Sequence, residues 1–246
     1  MVDRVLDGYI RESATDFGFV NTPIALQFEH LVNYLLVKRT YPGILDPEQL
    51  STGNAAGIDG IAIFVNDRLV TSQEDVDFFK HAHVRLRFVF VQSKTTPNFD
   101  MGDMGKFLYA VEDFFRSSPL IPVHEGISEY RTLQQYIFAT LTTCAAPAIE
   151  LYYVTTGAWQ DDPTLRGFID NSIDRLKSLD LSAEVVFEPI GGHKIKGVYR
   201  AYKKSIDRTI LLGAVLLKRR ADGQAAFRKS WLAIRERWLR VCSWAL

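Results

Sequence analysis

The chain has 246 residues, of which 47% are hydrophobic and 24% are charged, enough apolar content for a full core and too much for wholesale disorder. Its formal net charge is zero, so bulk charge does not indicate a nucleic-acid partner. Two widely separated cysteines, Cys144 and Cys242, exclude a zinc ribbon and argue against a disulfide framework. The charged N-terminus does not resemble a signal peptide and no apolar run is long enough to span a membrane, so we expect a cytoplasmic protein.

The first quarter of the chain predicts two helices followed by a strand. Residues 1–19 form a polar, helix-prone lead-in. A second helix is predicted to start at 21–23, with a capping residue and a proline in its first turn, and apolar residues at helical spacing continue it to Leu36. A glycine-rich segment then leads into a strand that Asp59 opens, and the residues at 66–68 predict a hairpin turn after it.

The rest of the chain alternates between helices and strands. The predicted elements are a short acidic helix or loop at 74–82, a strand at 86–91, helices at 103–115 and 130–141, a strand at 150–155, a helix at 164–179, a strand at 183–187, a basic helix at 195–205 and a strand or buried helix at 209–217. This alternation predicts an α/β fold whose mixed β-sheet is covered by helices on both faces.

Positive charge is concentrated near the C-terminus. From Gly191 onward there are 14 Lys and Arg residues and 3 acidic residues. Two interpretations stay open, a solvated helical face and a surface that grips backbone phosphates. Under the second, the nucleic-acid-binding residues are Lys194, Lys196, Arg200, Lys203 and Lys204. The tail at 218–246, in which tryptophans lie among arginines, is set apart from a single domain at 1–217.

Polar residues interrupt two otherwise apolar strands. Asp59 opens the first, and Gln92 and Lys94 close the second, two residues apart and therefore on one face. If these strands pair, a carboxylate, an amide oxygen and an ammonium group meet at one place. Such a set can hold a divalent metal and a water beside a phosphate. Asp59 would bind Mg²⁺ or Mn²⁺, Gln92 would add a neutral oxygen ligand, and Lys94 would orient or activate the water.

A single carboxylate binds a divalent cation weakly, so a second one is needed. Glu29 lies in the second helix between apolar residues and faces either the sheet or solvent; the sequence leaves both alternatives open. A rival zinc site at His81 and His83 lacks a third ligand at a suitable spacing. No Gly-x-Ser-x-Gly turn supports serine hydrolase chemistry, and the glycines before Lys194 lack the spacing of a phosphate loop.

The order of these residues resembles the PD-(D/E)xK nuclease superfamily, particularly Mrr-like restriction endonucleases, and most of all the N-terminal region of abortive infection phage resistance (AIPR) proteins. The residues that carry the resemblance are Phe28-Glu29-x-x-Val32, Gly57-Ile58-Asp59-Gly60 and Val91-Gln92-Ser93-Lys94, then Phe99-Asp100, Gly105-Lys106-Phe107 and the strand at 151–157. A longer segment separates Asp59 from Gln92 than in compact Mrr-like domains, which implies an inserted hairpin and helix. AIPR proteins continue further than this chain, so it resembles a short or truncated version.

The resemblance implies a restriction-endonuclease-like mixed β-sheet and a metal-dependent nuclease that hydrolyses DNA in bacterial antiphage defence. Its catalytic residues would be Asp59, Gln92, Lys94 and Glu29, and its ligands for Mg²⁺ or Mn²⁺ would be Asp59, Gln92 and Glu29. DNA is favoured over RNA, no membrane is involved, and a homodimer would suit the cutting of two strands. The alternative is a catalytically weak or inactive nuclease-fold module that binds nucleic acid or a phage or partner protein.

Overall fold

The structure, a computed structural model, describes residues 3–53, 57–122, 124–142, 145–179, 181 and 183–205. Both cysteines, the element predicted at 209–217, the domain boundary predicted at 217 and the tail at 218–246 lie outside these residues. The chain divides into two compact units, residues 1–199 and 200–246, and the β-sheet belongs to the first. Within the described part, no helix has the length and apolar character needed to cross a membrane.

The described residues form an α/β protein in which seven helices flank a mixed sheet of five strands, so the predicted fold class is confirmed at this level. The helices are α1 (Arg4–Phe17), α2 (Ile24–Lys38), α3 (Gln73–Asp77), α4 (Met101–Phe115), α5 (Glu125–Thr140), α6 (Pro163–Lys177) and α7 (192–205). The strands are β1 (Gly60–Val65), β2 (Arg68–Val70), β3 (Leu86–Lys94), β4 (Ala148–Thr155) and β5 (Glu184–Ile190), and a 3₁₀ turn spans Pro47–Leu50.

The strand order across the sheet is β2-β1-β3-β4-β5. Strand β1 is antiparallel to both of its neighbours, whereas β3, β4 and β5 run parallel. The predicted hairpin joins β1 to β2 through Asn66 and Asp67, whose positive φ angles of 48° and 61° suit the tight turns of β-hairpins. Strand β2 and helix α3 lie in the segment between Asp59 and Gln92, where a hairpin and a helix were expected.

Both faces of the sheet are covered, which explains why its central strands read as continuous apolar runs rather than alternating ones. Phe88 and Phe90 of β3 point into a core that α4, α5 and α6 complete, where Phe114 and Phe115 meet them edge to face. Helix α2 packs on β1 and β3, and α1 packs on α2. The end of β3 is therefore enclosed by helices, which positions the candidate site.

Helix α2 begins at Ile24, as expected, but the predicted side-chain cap was wrong: Pro23 is the N-cap, and no side chain among the described residues caps the helix. The Thr22 hydroxyl donates to the Phe19 carbonyl instead. Two predicted boundaries were also wrong. Strand β3 extends past its predicted end at 91 to Lys94, because β4 pairs with it over these last residues. Helix α5 begins at Glu125, ahead of the predicted start at 130, with the His124 side chain accepting a hydrogen bond at its N-terminus.

Candidate functional site

The candidate site lies where β1 begins and β3 ends. Gly60 pairs with Val91 in the antiparallel register, so Asp59, just outside β1, comes opposite Gln92. Beyond Val91, β3 continues beside β4 but no longer has β1 on its other side. The Asp59 carboxylate occupies this open side of β3. The predicted pairing of the two strands is therefore confirmed.

Three donors hold one oxygen of the Asp59 carboxylate. Its Oδ2 accepts hydrogen bonds from Gln92 Nε2 at 2.8 Å, from the Ser93 backbone N–H at 2.7 Å and from Ser93 Oγ at 3.1 Å. Its Oδ1 has no hydrogen bond within the described part of the chain. The carboxylate is thus fixed in orientation by one oxygen, while the other is available to a ligand.

The backbone around Asp59 is fixed as well. Its N–H donates to the Val91 carbonyl at 2.8 Å, and its carbonyl accepts from Asn33 Nδ2 at 3.1 Å and from the Thr52 N–H at 3.2 Å. A Cβ atom on Gly60 would lie 2.5 Å from the Asn33 side chain, so only glycine lets α2 approach β1 this closely. Asp59 is therefore held by three different segments, β3, α2 and the chain at Thr52.

Glu29 of α2 faces the same place, which decides between the two orientations that the sequence left open. Its Oε1 accepts a hydrogen bond from Ser51 Oγ at 2.9 Å, and its Oε2 has no hydrogen bond among the described residues. Burial, and then the negative charge of Asp59, raise the pKa of Glu29 to about 7. The two carboxylates are close enough to repel each other, as expected of groups that share one cation.

The electrostatic balance around Asp59 favours an added positive charge. Burial raises the pKa of Asp59, while hydrogen bonds from Ser93 and the charge of Lys94 oppose that rise. Lys94 is half-buried, follows Gln92 by two positions on β3, and has no ion-pair partner among the residues described. The charge of Lys94 acts on Asp59, whereas no cation among the described residues acts on Glu29, so a divalent cation would relieve the remaining repulsion.

Gln92 reaches Asp59 with the opposite end of its amide from the one predicted. Its Nε2 donates to Asp59 and, at 3.3 Å, to the Ser93 carbonyl. Its Oε1, the atom predicted to bind a metal, is buried and has no hydrogen-bond partner in the described part of the molecule. Leaving a buried acceptor unpaired costs about 1–3 kcal/mol. A bound cation would supply the partner that this oxygen lacks.

The basic residues predicted to bind nucleic acid lie apart in the chain from this group. Lys194 forms an ion pair with Glu188 at 2.7 Å, and Lys196 forms one with Asp3 at 2.5 Å, so both already have carboxylate partners. Arg200, Lys203 and Lys204 belong to the second compact unit. Their role in binding nucleic acid stays a prediction.

Three residues that hold the site were missed by sequence reasoning. Asn33 carried a signal, because it lies four positions after Glu29 on α2 and therefore on the same helical face. Ser93 lies between two predicted site residues, but its backbone N–H can bind Asp59 only because β1 begins at Gly60 and does not pair with this part of β3. Ser51 carried no signal, since its contact with Glu29 depends on a bridge that its backbone forms with Gly60.

The described residues contain no group of three or more His, Cys, Asp or Glu side chains that could hold a metal ion. A cation at this site would therefore depend on two carboxylates and a neutral amide oxygen. All three are oxygen donors, which suits Mg²⁺ and Mn²⁺ rather than a thiolate- or imidazole-preferring metal.

No protein-family model, no curated protein and no solved structure matches this chain. Function must therefore be inferred from the geometry and chemistry of the site itself. The site offers two fixed carboxylates with one available oxygen each, an unpaired buried amide oxygen and a nearby ammonium group. This arrangement can bind a divalent cation next to an anionic ligand.

Proposed function

We propose that the chain is a metal-dependent nuclease that hydrolyses DNA phosphodiester bonds. The observation that carries the proposal is the convergence of Asp59, Glu29, Gln92 and Lys94 at the junction of β1, β3 and α2. The mixed sheet, with the Asp and Gln-x-Lys strands as antiparallel neighbours, supports a restriction-endonuclease-like fold. The antiphage setting of the proposal comes from the sequence resemblance to AIPR proteins alone.

The residues fit a bound Mg²⁺ or Mn²⁺. Asp59 Oδ1, Glu29 Oε2 and Gln92 Oε1 would hold it, and each of these oxygens lacks a hydrogen bond within the described residues. Both carboxylates have raised pKa values, mainly because they are buried, so a cation would stabilise their ionised forms. When bound, such a cation offsets the charge that develops on the phosphate and makes water a better nucleophile.

The protein side chains then have separate roles in hydrolysis. Ser93 and Asn33 keep Asp59 in place, so the carboxylate does not have to reorganise during the reaction. Lys94 orients or activates the attacking water and balances the negative charge that develops on the phosphate. The water oxygen forms the new P–O bond, one P–O ester bond breaks, and the leaving oxygen receives a proton.

A second candidate is a nucleic-acid-binding module with the same fold but no useful catalysis. The observation that favours it is the small number of ligands, two carboxylates and one neutral amide, with no third acidic, histidine or cysteine side chain beside them in the described residues. A weakly bound cation would leave the module able to bind phosphates without cutting them.

A plasmid-nicking assay with and without Mg²⁺ or Mn²⁺ separates these candidates. We expect the native chain to nick DNA only with the metal, and Asp59→Ala and Lys94→Ala to lose at least about a hundredfold in rate while still binding DNA. Matched controls are Asp7→Ala and Lys80→Ala, which remove exposed members of surface ion pairs.

The outcomes are distinct. Cutting that survives both Asp59→Ala and Lys94→Ala would reject the assigned site. Salt-sensitive DNA binding without any cutting would favour the binding module, because phosphate contacts weaken as counterions compete. Absence of both binding and cutting would reject both candidates.

A further inference from the structure

The backbone of α4 at Lys106 lies beside the segment that carries Asp59. A Cβ atom on Gly57 would lie 3.3 Å from the Lys106 carbonyl carbon and 3.3 Å from the Phe107 nitrogen. Gly57 also has a φ angle of 90°, a conformation that favours glycine. It precedes Asp59 by two residues, which span at most about 7 Å of chain. Helix α4 is therefore packed against the entry to β1.

The residue after Lys106 places the same turn of α4 beside the sheet at the site. Phe107 is 0% exposed, and its ring lies 6.2 Å from that of Tyr153, centroid to centroid. Tyr153 is the register partner of Gln92 on the neighbouring strand β4. In contrast, 74% of the Lys106 side chain is exposed. Lys106 therefore lies at the solvent-facing rim of the site, and the packing of Phe107 holds its backbone there.

The Lys106 ammonium group can bind a further acceptor. It has three N–H donors. Its Nζ forms one ion pair, with Asp103 Oδ1 at 3.2 Å, three positions earlier on α4. An exposed pair at this spacing stabilises a fold little, and the flexible stem of lysine lets the group move. A phosphate oxygen could therefore bind Lys106 whether or not the contact with Asp103 is kept.

A DNA strand at this site would need a cation beyond those that act on the phosphate that is cut. Lys94 and the bound metal serve that phosphate, and the next phosphate of the strand lies beside it. Burial, and then the charges of Asp103, Asp100 and Asp59, raise the pKa of Tyr153, so these three acids act on one region. A phosphate in an acidic region is held only where a positive group offsets the repulsion.

We propose that Lys106 binds a backbone phosphate next to the one that is cut, and so positions the DNA strand at the Asp59 site. The ammonium group donates to an oxygen of that phosphate and takes no part in breaking the P–O bond. The inference rests on the proposed function, because it assigns a second contact to the same DNA substrate.

Plasmid nicking in Mg²⁺ at a series of salt concentrations tests this role on the full chain. We expect Lys106→Ala to raise KM about tenfold and to leave kcat unchanged, because the contact is the same in the bound substrate and in the transition state. The loss of one phosphate contact should also reduce the slope of log(kcat/KM) against log salt concentration by about 0.9. Lys106→Arg keeps the charge and should keep KM within about twofold of the native value.

Lys80→Ala is the matched control, because Lys80 forms an exposed ion pair of the same spacing with Asp77, at 2.9 Å. We expect it to leave KM and the salt slope unchanged. Mn²⁺ affinity, measured by electron paramagnetic resonance, should be unchanged in Lys106→Ala, since the proposed metal ligands are untouched. A loss of Mn²⁺ affinity that matches the rise in KM would show that Lys106 acts on the metal site rather than on DNA, and would overturn the inference.

An unchanged salt slope in Lys106→Ala would also overturn it, as would an equal rise in KM in Lys80→Ala. A thermal melt of each variant establishes that it is folded. If the native chain does not nick DNA with Mg²⁺, the proposed function itself fails. If it nicks DNA and Asp59→Ala abolishes nicking while Lys106→Ala behaves like Lys80→Ala, only the role of Lys106 fails.

Discussion

Two carboxylates in this protein, the buried Glu112 and the half-buried Glu29, have very different surroundings. Glu112 on α4 is 5% exposed and is paired with two arginines, Arg116 and, at 3.2 Å, Arg175 of α6. Among the described residues, Glu29 on α2 has only the Ser51 hydroxyl as a hydrogen-bond partner and has another carboxylate, Asp59, close by. The protein can therefore neutralise an acid with its own cations, and within the described part of the chain it does not do so at Glu29. A site that lacks internal neutralisation is one that an external cation can complete.

The sharpest test of this contrast is metal affinity. Asp59→Asn should lower Mn²⁺ affinity by more than about a hundredfold, since even residues that only support metal ligands cost 10- to 100-fold. Glu112→Gln should leave Mn²⁺ affinity unchanged in the folded fraction, because its charge is already balanced by arginines. Isothermal titration of both variants with Mn²⁺ measures this, and a comparable loss in Glu112→Gln would remove the distinction.

Stability should show the opposite pattern. Glu112→Gln leaves two arginines without their partner and should lower the free energy of unfolding by roughly 2 kcal/mol, reduced from the fully buried case because Arg175 is half exposed. Glu29→Gln should cost nothing, or should stabilise the metal-free protein at pH 8, because it removes repulsion from Asp59. Urea unfolding midpoints at a constant m-value give the comparison. Destabilisation by Glu29→Gln equal to that of Glu112→Gln would contradict it.

The pH dependence of the free energy of unfolding and of Mn²⁺ affinity should also distinguish the candidate site. The pKa of Glu29 is raised from 4.5 to about 7, so between these values the folded chain binds more protons than the unfolded one. Its contribution makes the metal-free protein less stable as pH rises through this window, with no further change above it. Mn²⁺ competes with the proton, so affinity should rise about tenfold from pH 6 to pH 8. Glu29→Gln should flatten the pH profiles of stability and of Mn²⁺ affinity. Unchanged profiles in this variant would disprove the assignment of Glu29 as a metal ligand.

The smallest effect is expected from the second hydrogen bond of Ser93. Ser93→Ala removes the Oγ donor at 3.1 Å but keeps the shorter bond from the backbone N–H, so Asp59 loses one of three restraints. We expect a loss of about 1 kcal/mol in Mn²⁺ binding, about fivefold in affinity. Ser178→Ala, which removes a local bond to the Arg175 carbonyl, is the matched control. Equal effects of the two changes on affinity would mean that Ser93 does not restrain Asp59.

Much of the fold could be predicted because local patterns specify it. The spacing of apolar residues located α2, α4 and α6 to within a few residues, and the turn at Asn66 and Asp67 was recognisable from residue type. The apolar run at 86–91 marked only part of β3, although Gln92 and Lys94 were expected to close the strand, as they do. They stay in the strand because β4 supplies hydrogen bonds along its far side.

The candidate site was predictable in its members but not in its contacts. Asp59 and Gln92 were expected to meet, since neighbouring antiparallel strands bring their ends together, and they do so at 2.8 Å. The sequence could not give which end of the Gln92 amide faces Asp59, because that depends on which donors and acceptors surround it.

The sequence by itself determined which segments are helices and strands and which residues share a face. These follow from the spacing of apolar residues, which repeats every 3.6 residues in a helix and every 2 residues in a strand. It also determined that an acid and a Gln-x-Lys pair sit at strand ends. Only the tertiary structure decided that Glu29 turns toward Asp59, that three donors hold a single oxygen of Asp59, and that the buried amide oxygen of Gln92 has no hydrogen-bond partner among the described residues. Those outcomes depend on the packing of distant segments, where burial and charge act between groups that the chain order does not bring together.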